Sequence, residues 1–269
     1  MENRKANKHA WVFALLSLAV SLLAIGLEDV IIGEDAGYGA MAAYRFGLFA
    51  VLAAALFPLL KLDYMARPFS GWGIILKMGK VLLLQTLLNA ALGWLVHVLA
   101  AESQEHFWSD LGVLALAAIA VGLFEEIAFR EGIFMSLTRQ LADRPSGALT
   151  AAAVSSLIFG AAHVAFSLDT GSAAILSALL KTLESAAFGF VLCGMLYKTG
   201  NFWIPVLVHT CFDLAGMVSL AARPSGEIGG YVSTEMDTGA IVTMAFYAFC
   251  IVIMIPAMRY AAKILKGEV

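Results

Sequence analysis

Apolar residues run along this chain in eight long stretches separated by short polar breaks, near 11–27, 40–60, 78–100, 111–139, 148–166, 172–197, 202–222 and 240–262. A helix that crosses the hydrocarbon core of a bilayer needs about 20 mostly apolar residues, and each stretch is of that order. The pattern therefore predicts an all-α polytopic membrane protein of about eight transmembrane helices, with residues 1–269 forming a single membrane domain. The fourth stretch is long and charged from its middle onward, so it is expected to bend or to leave the membrane early. The first stretch, Trp11 to Leu27, is longer than the ~7–15-residue apolar core of a signal peptide and no A-x-A site follows it, which predicts a retained helix. Plentiful alanine and glycine suit close helix packing in lipid.

The polar breaks alternate in charge. Arg4, Lys5 and Lys8 precede the first span, and Lys61, Arg67, Lys77 and Lys80 lie around the second connection. Arg139 and Arg144 follow the fourth span, Lys198 the sixth, and Arg259, Lys263 and Lys266 end the chain. The intervening breaks, 28–37, 101–110, 167–171 and 221–239, hold only Arg223. Eight crossings with the N- and C-termini both cytoplasmic satisfy the positive-inside rule and predict a multi-pass protein of the cell membrane. Residues 222–239 form the longest polar loop, and its glycines predict a mobile external connection.

Composition sharpens this picture. Hydrophobic residues make up 61% of the chain and charged residues 14%, against about 45–50% and about 25% in soluble domains. Little remains for a soluble domain. A net charge of -3 without a basic patch argues against a nucleic-acid partner. Cys193, Cys211 and Cys250 are odd in number, far apart and set in apolar runs; free, packed thiols are expected rather than disulfides.

An ionisable side chain near the bilayer centre costs about 2.5–3.5 kcal/mol on insertion scales, so each one needs a reason. The candidates are Glu125, Glu126 and Arg130 in the fourth span, His163 in the fifth, Lys181 and Glu184 in the sixth, and His209 and Asp213 in the seventh. Glu126 and Arg130 are four apart and can pair on one helix face, whereas Glu125 points about 100° away and needs a different partner. A salt-bridged helix end at the interface is the structural alternative. Phe159 and His163 share a face, with Gly160, Ala161 and Ala162 between them; a packing histidine is the alternative there. His209 and Asp213, four apart, can hydrogen-bond, as in a general-base or metal site or in a polar clamp between helices. Lys181 and Glu184, three apart, are expected to neutralise each other. Together the glutamates, histidines and aspartate suffice to activate a water and stabilise an oxyanion in a dry pocket. Glu125, His163 and His209 are also residue types that bind zinc, so a divalent metal is one option and no cofactor the other.

Three motifs then carry a resemblance. Glu125-Glu126-Ile-Ala-Phe-Arg130 matches EExxxR, Phe159 to His163 matches FxxxH, and His209 to Asp213 matches HxxxN/D. In this order they resemble the CPBP family, the CAAX proteases and bacteriocin-processing enzymes also called the Abi family. The run Gly189 to His209, with Tyr197, Thr199, Gly200, Asn201, Trp203 and Pro205, is similar too. The resemblance implies a catalytic core over about 110–222 and an intramembrane endopeptidase. Its substrate would be a lipidated or membrane-associated peptide or protein. It implies that Glu125 is the general base, assisted by His163, and that His209 and Asp213 stabilise the oxyanion or orient the site. Glu126, Arg130 and Phe159 would hold the architecture. The best-known CAAX proteases carry Asn where this chain has Asp213, and a carboxylate donates no hydrogen bond unless protonated. That favours Asp213 as an orienting residue for His209 or as a metal ligand. A non-catalytic membrane scaffold and a proton-coupled transporter are the alternatives, although the polar residues lie only in the fourth to seventh spans and show none of the paired repeats common in transporters.

Overall fold

A computed structural model describes residues 10–33, 37–60, 72–99, 106–167, 171–221 and 232–269, and the described residues are helical without strands. The helices are α1 (Ala10–Gly26), α2 (Glu28–Ile32), α3 (Tyr38–Leu60), α4 (Trp72–Leu99), α5 (Phe107–Glu125), a π-helix (Glu126–Met135), α6 (Ser136–Gln140), α7 (Gly147–Ala162), α8 (Ser172–Thr199), α9 (Trp203–Ala221) and α10 (Thr238–Lys266). Counting α5 through α6 as one run, eight apolar helices among the described residues stand where eight spans are expected. Five are long and apolar enough to cross a membrane: Tyr38–Leu56, Gly73–Leu95, Phe107–Gln140, Ser172–Thr199 and Thr238–Lys266. Ala10–Gly26, Gly147–Ala162 and Trp203–Val218 are shorter apolar helices. The chain is a polytopic all-α membrane protein, with large apolar side chains such as Leu83, Leu84 and Leu87 exposed on helix surfaces.

The fourth span does not break at its charges. It stays helical to Gln140 but changes hydrogen-bond register at Glu126, where the π-helix begins. π-Helical turns are rare and often mark functional sites. α4 begins at Trp72 rather than near 78, and α7 ends at Ala162, before the expected 166. Arg4, Lys5, Lys8, Lys61, Arg67 and Arg223 lie outside the described residues, as does the 222–239 loop up to 231. Cys193 and Cys250 are free and buried as expected, but Cys211 is exposed, because its position on α9 turns it away from the packed face.

The chain forms two compact units. Unit 1 comprises Met1–Leu22, Phe129–Gly200 and Gly229–Val269. Within it α7 and α10 pack on α8, around Phe134, Met135, Ala151, Ala152, Cys193, Leu196 and Leu265. Gly160 is required there: a Cβ at this position would collide with the backbone carbonyl of Thr182 on α8. Gly200, at φ +59°, ends α8 in the left-handed conformation, which glycine adopts without strain. Unit 2 comprises Leu23–Ala128 and Asn201–Ile228. In it α5 packs between α3 and α9, and α4 packs along α9. The Asn201 side chain accepts a hydrogen bond from the Trp203 backbone at 3.0 Å and so caps the start of α9.

Candidate active site

The close approach of α5 to α9 in unit 2 rests on Gly122. A Cβ there would lie 2.7 Å from Thr210 Oγ1, so any larger residue would push the helices apart. One turn further along α5, Glu125 and Glu126 meet His209 of α9. His209 Nδ1 donates to Glu126 Oε1 at 2.7 Å, since a carboxylate can only accept. His209 Nε2 lies 3.7 Å from Glu125 Oε2 and 3.5 Å from Asp213 Oδ2. Three carboxylates thus surround one buried imidazole.

This geometry corrects one expectation. Glu125 does not need a partner separate from that of Glu126. The imidazole offers a nitrogen on each of two edges, so carboxylates about 100° apart on a helix reach the same ring from different sides. Glu126, expected beside Arg130 in the motif's framework, is the hydrogen-bond partner of the histidine. That bond fixes the ring's tautomer and orientation. Asp213 is the most accessible member, its side chain 21% exposed against 11% for Glu125.

The remaining motif residues belong to unit 1. Arg130, about 1% exposed, lies with its guanidinium carbon 4.0 Å from the centre of the Phe159 ring. Gly189 of α8 leaves room for this stack: a Cβ there would be 3.0 Å from Phe159 Cδ1 and 3.2 Å from Arg130 Nη2. Phe129 meets Phe159 edge to face with 5.2 Å between centroids. His163 caps the C-terminal end of α7. Its Nδ1 donates to the Phe159 carbonyl at 2.8 Å, which places the lone pair of a neutral ring on Nε2. Phe159 is therefore the residue on which Arg130 and His163 both rest. Lys181 and Glu184 pair at 3.1 Å as their spacing predicts, and Ser185 Oγ donates to the same Glu184 oxygen at 3.3 Å.

Sequence spacing passes over several buried polar groups. Arg45 on α3 pairs through Nε and Nη2 with the Glu28 carboxylate, and its guanidinium lies 5.0 Å from the Phe124 ring, beside Glu125 in sequence. A single arginine within the 40–60 run was the available signal. Glu131 is fully buried in the π-helix, next to Arg130 in the motif but outside its pattern.

Among the described residues, no group of three or more His, Cys, Asp or Glu side chains is arranged to hold a metal ion. Comparison with curated proteins and with solved structures gives no significant match. Residues 106–215, which hold Glu125, Glu126, Arg130, Phe159, His163, His209 and Asp213, match the family model described as type II CAAX prenyl endopeptidase Rce1-like, and over that segment the resemblance to CAAX proteases is borne out.

Proposed function

We propose that this protein is an intramembrane endopeptidase that hydrolyses a peptide bond in a membrane-associated or lipidated peptide through a water activated by Glu125. The observation that carries the reading is the buried His209 imidazole with Glu126 on one edge and Glu125 and Asp213 on the other. A fold under selection for stability alone gains little from crowding three carboxylates around one ring, whereas such arrangements tune catalytic groups.

In this reading Glu125 takes a proton from water as the oxygen attacks the scissile carbonyl carbon. A C–O bond forms, and the carbonyl electron pair moves onto oxygen. His209, as an imidazolium held through Nδ1–H by Glu126, donates its Nε2–H to that oxyanion, and Asp213 steadies the ring from the same side. Collapse breaks the C–N bond, and Glu125 passes its proton to the leaving amine. Arg130 and Phe159 hold the framework. Residues 110–222 form the catalytic core, and both termini are cytoplasmic.

The test is hydrolysis of a membrane-peptide library by the purified wild type and Glu125→Gln side by side. Cleavage by the wild type alone is the expected result. Equal cleavage by both removes Glu125 from the mechanism. Failure of the wild type to cleave any peptide overturns the protease reading in favour of a scaffold or a transporter.

A further inference from the structure

Gln85 is fully buried on α4, and both its side-chain nitrogen and oxygen lack a hydrogen-bond partner among the described residues. A buried primary amide without partners loses its hydration without replacement, and native proteins seldom tolerate that without a use. Gln85 continues a buried stripe, Ile74, Met78, Leu82 and Gln85, on the helix that packs along α9. An apolar residue at this place in the stripe would have completed the packing.

The depth of Gln85 follows from the helix register within unit 2. At one end Trp94 of α4 meets Phe107 of α5 with ring centroids 5.9 Å apart, and Phe107 packs in one cluster with Ala221 at the end of α9. From Trp94 back to Gln85 is nine residues, about 13.5 Å at 1.5 Å per residue. From Ala221 back to Asp213 is eight residues, about 12 Å. Gln85 and Asp213 therefore sit at nearly the same depth on neighbouring helices. Asp213 is also the most accessible member of the carboxylate cluster, its side chain 21% exposed.

A peptide entering a helical membrane protein leaves water and must find new partners for its N–H and C=O groups, each of which costs several kcal/mol if left unpaired in apolar surroundings. The helix backbones satisfy their own hydrogen bonds and have little to offer. A side-chain amide carries one acceptor and two donors and can pair with the N–H and the C=O of a peptide backbone. We propose that Gln85 is a substrate-binding residue that hydrogen-bonds the backbone of the bound peptide beside the scissile bond. The proposal rests on the protease reading above. Gln85 lies outside the matched segment 106–215, so the family comparison assigns it nothing.

The experiment compares the wild type with Gln85→Met, of similar length and apolar. Both are measured for melting temperature in detergent and for kcat and KM on a cleaved peptide. A parallel set of peptides has each non-scissile amide near the cut replaced in turn by an ester, which removes the N–H donor. Gln85→Met is expected to melt at or above the wild-type temperature, because it removes a stranded amide, while KM rises about tenfold for the loss of one hydrogen bond and kcat changes less than about twofold. One ester position should raise the wild-type KM by a similar factor and leave the variant's KM unchanged. A lower melting temperature with activity lost in proportion makes Gln85 structural and overturns the proposal. So does an unchanged KM, or ester effects identical in the two proteins. A wild type that cleaves no peptide would instead show that the protease reading has failed, and this proposal with it.

Discussion

The two units bury polar groups in different ways. In unit 1 two of the groups are settled close by: Lys181 pairs with Glu184 three residues on, and His163 bonds the carbonyl four residues back. Arg130 is covered by the Phe159 ring. In unit 2, beside the Arg45–Glu28 pair, the groups around His209 come from distant parts of the sequence and three of them are carboxylates. His209 meets Glu126 across 83 residues of sequence, and two further carboxylates share its other edge. Short-range pairing of opposite charges lowers the cost of burial and needs no other justification. Like charges gathered over long range raise that cost, so unit 2 is where chemistry is expected and unit 1 where support is expected.

The largest effect that tests this contrast belongs to Glu125→Ala. Hydrolysis should fall by about 10²–10⁴-fold, the usual contribution of a general base, with folded yield near wild type. The His209 ring keeps its hydrogen bond to Glu126 in this variant. Arg130→Ala should do the reverse: it empties the buried space beside the Phe159 ring and should cost about 3–5 kcal/mol, as for truncation of a large buried side chain, read as loss of monodisperse protein on size exclusion. Equal loss of folded protein in the two variants would erase the distinction between the units.

A smaller effect sharpens it. Gly122→Ala places a methyl group against Thr210 Oγ1, an overpacking cost of about 1–3 kcal/mol. It should lower both melting temperature and turnover, because the same approach brings Glu125 and Glu126 to His209. Adding Thr210→Ala removes the clashing oxygen and should restore both; failure to restore them would mean that Gly122 matters for another reason. The smallest effect belongs to the Lys181→Met, Glu184→Met double variant. Replacing a whole buried pair with apolar residues of similar volume is often neutral, so melting temperature and hydrolysis should both stay near wild type. Lys181→Met alone strands Glu184 and should be clearly less stable. Loss of hydrolysis in the double variant would place chemistry in unit 1 as well.

The positions of the helices were legible because a bilayer-spanning helix announces itself by length and composition. The 172–197 and 202–222 stretches lie within two or three residues of α8 and α9. The start of α4 was missed by six residues because Lys77 and Lys80 interrupt its first two turns. The change to π-helix at Glu126 left no mark in hydrophobic pattern, since it depends on which carbonyl each N–H selects. At the site, the pairs Lys181–Glu184 and His209–Asp213 follow from spacing alone. That His209 accepts both Glu125 and Glu126 does not, nor does the pairing of Arg45 with Glu28.

By itself, the sequence determined that this is an all-α membrane protein and supplied the residues of the candidate site, since hydrophobic runs and helical spacing are local properties. Only the tertiary structure decided which of those residues meet. Gly122 sets how near α5 comes to α9, and that distance, set by packing between segments remote in sequence, determines whether three carboxylates surround one imidazole.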